Sequence, residues 1–220
     1  SCKKCIPLVT IQKRLLVGID DTDNLESKGT GYHARTLGMM ISEQSLGRCA
    51  VITRHQLLVS PLVPYTSHNS AACLSIEGGT SHLEEIIFLC RNYLLKEAAP
   101  GSDAGLCVAD EDQITIPGVR LAMLCKSQLV QQQAVRDLAS QKSIYLEGLT
   151  GTQDGVIGAF SAVHLNGSGI DGRVLWLRGM REHANQTLHL RTLLEHTDIQ
   201  QIQSRDGQVI TDPDIQIDMG

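Results

Sequence analysis

Short apolar runs alternate along this chain with longer amphipathic stretches, and the alternation predicts strands and helices in turn. Residues 15–19, LLVGI, have the composition of a short buried strand, and residues 32–47 are predicted to form a helix that Gly47 ends. A stretch rich in β-branched and apolar residues at 49–60 predicts a second strand. A third strand at 70–79 and a helix at 81–99 continue the series. Strands that alternate with helices in this way favour a layered α/β or α+β fold.

The clearest break in composition is the stretch APGSDAG, at residues 99–105. We place a domain boundary there, which gives an N-terminal domain of residues 1–103 and a C-terminal domain of residues 104–220. The second half is predicted to contain a strand, a helix, a glycine-rich loop, a small-residue helix and a strand, at 105–110, 127–141, 148–155, 156–165 and 172–180. The expected fold is therefore α/β (α+β), arranged as two small layered domains.

The composition limits the class of protein. The chain has 220 residues, of which 42% are hydrophobic and only 3% aromatic, so its core is expected to be aliphatic. No apolar run approaches the roughly 18 residues of a membrane span, and the N-terminal segment lacks the pattern of a secretory signal. A cytoplasmic protein is expected, and the scattered single cysteines fit buried thiols in a reducing compartment. The net charge of −5 does not support RNA binding by charge alone.

Directly after the first strand, the stretch GIDDTD crowds Asp20, Asp21 and Asp23 into four residues. Carboxylates this close raise one another's pKa values unless a cation, backbone N–H groups or water neutralise them. Carboxylates that converge at a strand end form a site of hard oxygen ligands, which suits Mg²⁺ because that ion takes one or two carboxylates and keeps waters and substrate phosphates. The alternative is an exposed acidic turn without a ligand.

A glycine turn follows the acids. Lys28, Gly29, Thr30 and Gly31 lead into the first helix, and glycines there let the backbone approach a phosphate at the helix N-terminus. The chain contains no G-x-x-x-x-G-K-[ST] motif, so this turn is not a P-loop. Acids for a metal ion and a glycine turn for a phosphate, a few residues apart, together predict a site for Mg²⁺ and a nucleotide.

Three stretches together resemble a known family. GIDDTD at 18–23, RHQLLVSPLVPYTSHNSA at 54–71 and GTQDGVIGAFSAVHL at 151–165 are similar, in the same order, to motifs of archaeal tRNA-isoleucine 2-agmatinylcytidine synthetase, TiaS. The resemblance covers roughly residues 15–180. It implies a kinase-like ATP-binding domain followed by a ferredoxin-like domain that binds agmatine.

The resemblance also implies a reaction. In that family ATP activates the C2 carbonyl oxygen of an anticodon cytidine by phosphorylation, and the amine of agmatine displaces the activated oxygen. Carried over, Asp20, Asp21 and Asp23 hold Mg²⁺ near the ATP phosphates, with Asp21 in a catalytic role. Thr30 takes the place of the family's catalytic threonine if the register is shifted. The family's OB-fold and zinc ribbon, which grip the tRNA, have no counterpart in this sequence.

Other polar residues are predicted to bind the nucleotide or the amine substrate. Arg54, His68 and Asn69 are predicted to bind the nucleotide along with Lys28 to Gly31. The alternatives are a snorkelling edge-strand arginine and a solvated polar turn. Asp154 and Gly155 are predicted to meet an amine substrate, whereas a helix cap is the simpler interpretation of Asp154.

The most specific hypothesis is an ATP- and Mg²⁺-dependent enzyme that activates an oxygen of its acceptor for attack by a small amine. A second hypothesis is a non-catalytic nucleotide- or metal-binding module that acts with a partner. A third is an ATP-dependent ligase or kinase that acts on small molecules. The small residues near Gly158 let their helix pack closely on a sheet or on another subunit, so a homodimer is an open alternative.

Overall fold

The computed structural model describes residues 13–63, 69–197, 199, 201–204 and 206–219. The predicted nucleotide ligand His68 lies outside the described residues. The helices and longer strands, in chain order, are β1 Arg14–Asp20, α1 Thr30–Glu43, β2 Arg48–Gln56, β3 Ser70–Glu77, α2 Leu83–Glu97, β4 Gly105–Asp110, α3 Ile116–Leu124, α4 Gln132–Gln141, β5 Tyr145–Gly148, α5 Gly155–Ser168, β6 Arg173–Leu177 and α6 Leu190–His196. Two short strands, β7 Thr187–His189 and β8 Gln216–Asp218, form a separate pair.

Six strands form one sheet in the order β5-β4-β1-β3-β2-β6, and every neighbouring pair is antiparallel. The first strand therefore lies inside the sheet, and Gly18 is in register with Cys73 on one side and Cys107 on the other. The mixed α/β class predicted from the sequence is confirmed. Strands from both sides of the boundary placed after residue 103 share this sheet, so the backbone hydrogen bonds of β1 and β4 cross that boundary. The division into two domains stays a prediction.

The sheet lies between two layers of helices, each with its own apolar core. On one face Leu15, Val17 and Ile19 pack with helices α1 and α2. On the other face Leu16 packs with helices α3, α4 and α5. This alternation follows from the period of two in a strand. It explains why the first strand is a continuous apolar run, because both of its faces are buried. No helix among the described residues is long and apolar enough to cross a membrane.

Helix α5 lies unusually close to the sheet. A methyl group on Gly18 would overlap the backbone carbonyl of Ala159, and one on Gly105 would overlap the backbone of Gly155. The small residues that were predicted to favour close packing therefore let α5 pack on the sheet of its own chain. Because two backbones meet there, the position of the helix is fixed by atoms that no rotamer change can move.

A network of buried side-chain hydrogen bonds joins the C-terminal end of α5 to strand β2. The imidazole of His55, which is fully buried, has Nδ1 at 2.9 Å from Asp171 Oδ1 and Nε2 at 2.8 Å from Thr53 Oγ1. Lys126 Nζ donates to Asp171 Oδ2 over 2.5 Å, and Asn166 Nδ2 donates to Thr53 Oγ1 over 2.9 Å. Burial lowers the pKa of His55, against the opposing effect of Asp171. The ring is therefore held mostly neutral, with both nitrogens satisfied.

Replacing His55 with glutamine is expected to weaken the dependence of stability on pH. The pKa of His55 is lower in the folded state than its unfolded value, so below about pH 6.5 the unfolded chain binds the proton more tightly and stability falls. His55→Gln removes this term, while Asp171, whose pKa His55 also lowers, keeps Lys126 as its partner. Urea unfolding between roughly pH 7.5 and pH 5.5 measures the two slopes. Equal slopes would contradict the assignment.

Candidate active site

A cleft of about 210 Å³ opens at one end of the central strands of the sheet, where β1 ends and β3 begins. Five aspartates from three parts of the chain line it: Asp20, Asp21, Asp23, Asp103 and Asp154. Apolar residues from the segment after β2 and from the segment before α4 complete much of the lining, among them Leu57, Leu58, Leu62, Leu129 and Val130. The cleft therefore combines a concentration of negative charge with apolar surface.

The end of β1 explains how neighbouring aspartates reach the same cleft. In a continuing strand, Asp20 and Asp21 would point to opposite faces. The strand ends at Asp20, and Asp21 takes a left-handed conformation with φ of 49°, so the chain turns at once. The Asp20 carboxylate lies against Gly158 of α5, in space that any side chain at that position would fill. The missing side chain of Gly158 thus makes room for Asp20.

Asp23 ties the acidic loop to the start of helix α1. Its Oδ1 accepts hydrogen bonds from the backbone N–H of Thr30 over 3.2 Å and from the Thr30 hydroxyl over 2.8 Å. The Thr22 hydroxyl donates in turn to Thr30 Oγ1 over 3.1 Å, and both threonines are buried. This pairing positions the loop, and it commits the Thr30 hydroxyl to a carboxylate.

Asp103 is a member of the site that the sequence did not point to. Its backbone N–H donates a hydrogen bond to the Asp21 carboxylate. Its own Oδ1 accepts from the backbone N–H of Thr152 over 2.5 Å, and its carbonyl accepts from that of Gly155 over 3.0 Å. The stretch around Asp103 was interpreted as a boundary between domains, which concealed its place beside the acids.

The electrostatics of the cleft are strained. Burial, reinforced by Asp21 and Asp23, raises the pKa of Asp20 to about 8. Burial, reinforced by Asp103, Asp23 and Asp154, raises the pKa of Asp21 to about 6. No Lys, Arg or His is found among the described residues that line the cleft. A bound cation would relieve the repulsion among these carboxylates.

The carboxylates of the cleft fit a hard cation that takes only some of its ligands from the protein and the others from a substrate and water. Within the described part of the chain, no group of three or more His, Cys, Asp or Glu residues is arranged to hold a metal ion by itself. Mg²⁺ does not require such a cage, because it binds through one or two carboxylates and fills its shell with water and phosphate oxygens. Burial raises the pKa values of Asp20 and Asp21, so these are the carboxylates whose charged form a bound cation would favour.

The structure brings together some of the predicted site residues and separates others. The cleft lining includes seven of them: Asp20, Asp21, Asp23, Thr30, Asn69, Asp154 and Gly155. Four others do not line it: Lys28, Gly29, Gly31 and Arg54. Lys28 lies over the ring of Tyr32, 4.1 Å from its centroid, and Gly31 faces Leu175. Arg54 belongs to the face of β2 that carries Ile52 and packs toward α1.

The capping interpretation of Asp154 is wrong. This residue occupies the N-cap position of α5, but its side chain makes no capping hydrogen bond. Its Oδ1 instead accepts a hydrogen bond from Gln132 Nε2 over 2.6 Å. The carboxylate is exposed at the cleft.

Comparison with known proteins identifies solved structures with a similar fold. No protein-family model matches the chain, and no curated protein does so either. Among solved structures, a complex of TiaS with its isoleucine tRNA and ATP is similar, with a TM-score of 0.61 and 22% identity over 69% of this chain. The fold is TiaS-like. Apo TiaS, described as a tRNA agmatidine synthetase, gives a TM-score of 0.59 and 21% identity over the same 69%.

The likeness to TiaS covers 36% of the length of the ATP complex and 35% of that of apo TiaS. A structure described as a tRNA fluorescent labeling enzyme is similar to the same degree, with a TM-score of 0.59 and 22% identity. The resemblance inferred from GIDDTD and the later motifs is thus confirmed at the level of the fold.

Proposed function

We propose that the chain binds Mg²⁺ and ATP in the acidic cleft and uses phosphoryl transfer to activate an oxygen of its acceptor for attack by an amine. The observation that carries the proposal is the convergence of five aspartates on a cleft whose described lining holds no cationic side chain. A TiaS-like fold supports it, since similar structures were solved with tRNA and ATP and with tRNA, AMPCPP and agmatine.

In this proposal Asp20 and Asp21 hold the ion, and the ion neutralises them and the phosphates together. Asp23 is already bonded to Thr30, so its role is to hold the loop in place. Asn69 lines the cleft, and its Nδ2 is bonded to the Leu58 carbonyl over 2.7 Å, so its side-chain oxygen is the group offered to a ligand. Positioning and charge neutralisation supply most of the catalysis in phosphoryl transfer.

The amine is proposed to bind near Asp154 and Gly155, at the start of α5. The Asp154 carboxylate is exposed there and adds to the negative field on Asp21, so a protonated amine would be attracted to it. The acceptor is proposed to be an RNA cytidine or a small molecule with an equivalent oxygen. Lys28 and Arg54, which do not line the cleft, have no part in the proposed chemistry.

Two observations favour the non-catalytic alternative, in which the chain binds a nucleotide or metal and a partner supplies the chemistry. The Thr30 hydroxyl donates to Asp23 and accepts from Thr22, so its proton is already bonded within the loop. No cationic side chain among the described residues reaches the cleft to stabilise a transferring phosphoryl group.

Incubation with Mg²⁺, ATP and agmatine, with and without tRNA, is expected to produce AMP, ADP or pyrophosphate. Calorimetry with Mg²⁺ and ATP should show saturable binding that EDTA abolishes. Binding without turnover under all conditions would select the non-catalytic alternative. The absence of both binding and turnover would refute a nucleotide site in this cleft.

A further inference from the structure

A second recess, of about 320 Å³, lies where helix α1 passes over strands β2 and β6. Its lining is mainly apolar and includes Gly38 and Met39 of α1, Cys49 and Ile52 of β2, and Trp176 of β6. Trp176 is the only tryptophan in the sequence, and it lies directly across from Ile52 in the strand register. No residue that the structure describes lines both this recess and the acidic cleft.

The recess exists because α1 approaches the sheet closely at one point and leaves space beside it. A methyl group on Gly38 would press on the Cys49 sulfur, so helix and strand touch there. Leu37 and Ile41 point into the core beneath the helix. Met39 points away from the core and is 55% exposed. The half-buried Trp176 thus presents its ring in an apolar hollow at the edge strand of the sheet.

Positive charge surrounds this apolar surface. Among the described lining residues, three are arginines, Arg35, Arg48 and Arg178, and one is an acid, Glu43. Arg178 already has an interaction partner. Arg48 is paired with Glu77 of β3. Arg35 makes no hydrogen bond or ion pair with any other residue that the structure describes, so its guanidinium is available to a ligand. Free guanidinium donors bind carboxylate and phosphate groups through a fork of N–H bonds.

The same face of the sheet carries two further arginines, beyond a register irregularity between Ile52 and Thr53 in the β2–β6 pair. Arg54 and Arg173 are direct cross-strand partners on β2 and β6, and Arg54 is on the same side of β2 as Ile52. Like charges placed opposite each other destabilise a sheet. Neither of the two makes an ion pair with the residues described. An otherwise acidic chain therefore concentrates arginines around its one tryptophan.

We propose that this recess binds a planar aromatic ring that carries a phosphate or carboxylate group. The ring would pack on the Trp176 indole and the apolar floor, and the anion would bind the Arg35 guanidinium. The nearby arginines would add a long-range attraction for the same charge. No metal ion is needed, because the Arg35 guanidinium itself supplies a positive charge for the anion. The inference does not depend on the function proposed for the acidic cleft.

The test is a fluorescence titration in EDTA, in which Trp176 is the only indole reporter. The aromatic phosphate is AMP and the aromatic carboxylate is 2-naphthoate, with adenosine and 2-naphthamide as their neutral counterparts. At least one anion is expected to change the fluorescence saturably and to bind about tenfold more tightly than its neutral counterpart. Which anion binds distinguishes a phosphate ligand from a carboxylate ligand.

Matched variants locate the binding. Arg35→Gln is expected to weaken it about tenfold, whereas Arg120→Gln, an exposed arginine on α3, should leave it unchanged. Asp21→Asn should also leave it unchanged, because Asp21 lines only the other cleft. The proposal is overturned by a lack of saturable change with both anions, by equal affinity for the neutral compounds, or by full binding in folded Arg35→Gln. Loss of binding in Asp21→Asn would also overturn it, because the ligand would then occupy the acidic cleft.

Discussion

Replacement of Asp21 with asparagine is expected to abolish binding of Mg²⁺ and ATP, with affinity or turnover reduced by about two orders of magnitude or more, and to make the metal-free protein more stable. The first effect follows because the variant removes a proposed carboxylate ligand at the end of β1. The second follows because the raised pKa of Asp21 means that its charge is disfavoured in the folded state. A residue that is unfavourable for stability and required for binding has the profile of a functional site.

The stabilisation by Asp21→Asn is expected to depend on pH. The folded pKa of about 6 exceeds the ordinary value of 3.8, so the folded state binds this proton more tightly than the unfolded state does. The favourable contribution of Asp21 is therefore complete at low pH, and it is lost as the pH rises from about 4 through 6. In EDTA the variant should gain little at about pH 4 and, because solvent screens a partly exposed carboxylate, about 1 to 2 kcal/mol at about pH 8. Urea unfolding at the two pH values measures the difference.

Glu26→Gln is the matched control, because Glu26 belongs to the same loop and its side chain is exposed. This variant should keep both the binding of Mg²⁺ and ATP and the stability of the parent at each pH. Normal binding by Asp21→Asn would remove Asp21 from the site. An unchanged stability at about pH 8 would show that its charge is not strained there.

Replacement of Gly18 with alanine is expected to destabilise the protein by about 3 kcal/mol or more, or to prevent folding. The added methyl group would overlap the Ala159 carbonyl oxygen and the side chain of Val163. The carbonyl belongs to the backbone of α5, so the clash is relieved only if the helix moves off the sheet. Chemical denaturation measures the change in the free energy of unfolding.

Gly29→Ala is the control for the loss of a glycine. The space beside Gly29 is open except for the Asp23 carboxylate at 3.9 Å, so the substitution should cost well under about 1 kcal/mol. If Gly18→Ala proves as stable as the parent, helix α5 does not rest on β1 as described. If it folds but loses stability, the binding of Mg²⁺ and ATP in the cleft should also weaken, because Asp20 lies two residues further along the same face of the strand.

The sequence predicted the elements whose signals are local. The apolar run at 15–19 became β1, and the acids after it do line a common cleft. Asp103 could not be found in this way, because its place depends on strand register. Asp20 is in register with Gly105, so the residues before β4 come alongside the acidic loop. A pairing between segments more than eighty residues apart leaves no mark in a local pattern.

The turn predicted to bind a phosphate illustrates the opposite case, in which a nearby residue of the chain takes the place of the expected ligand. Glycines before a helix predict N–H groups available to an anion. Here the N–H of Thr30, the first residue of α1, already donates to the carboxylate of Asp23. The chain thus supplies an anion of its own, the Asp23 carboxylate, at this helix terminus. This N–H group is therefore not available to a phosphate.

The interior position of β1 has a consequence for how the protein is made. Its two neighbours in the sheet are β3 and β4, and the helix that covers its second face is α5, which ends at Ser168. During synthesis the ribosome releases β1 long before these partners exist. Helices α1 and α2, which cover its first face, are complete at Glu97, but its second face stays incompletely covered until α5 has been synthesised. This delay favours slow folding and engagement by chaperones in the meantime.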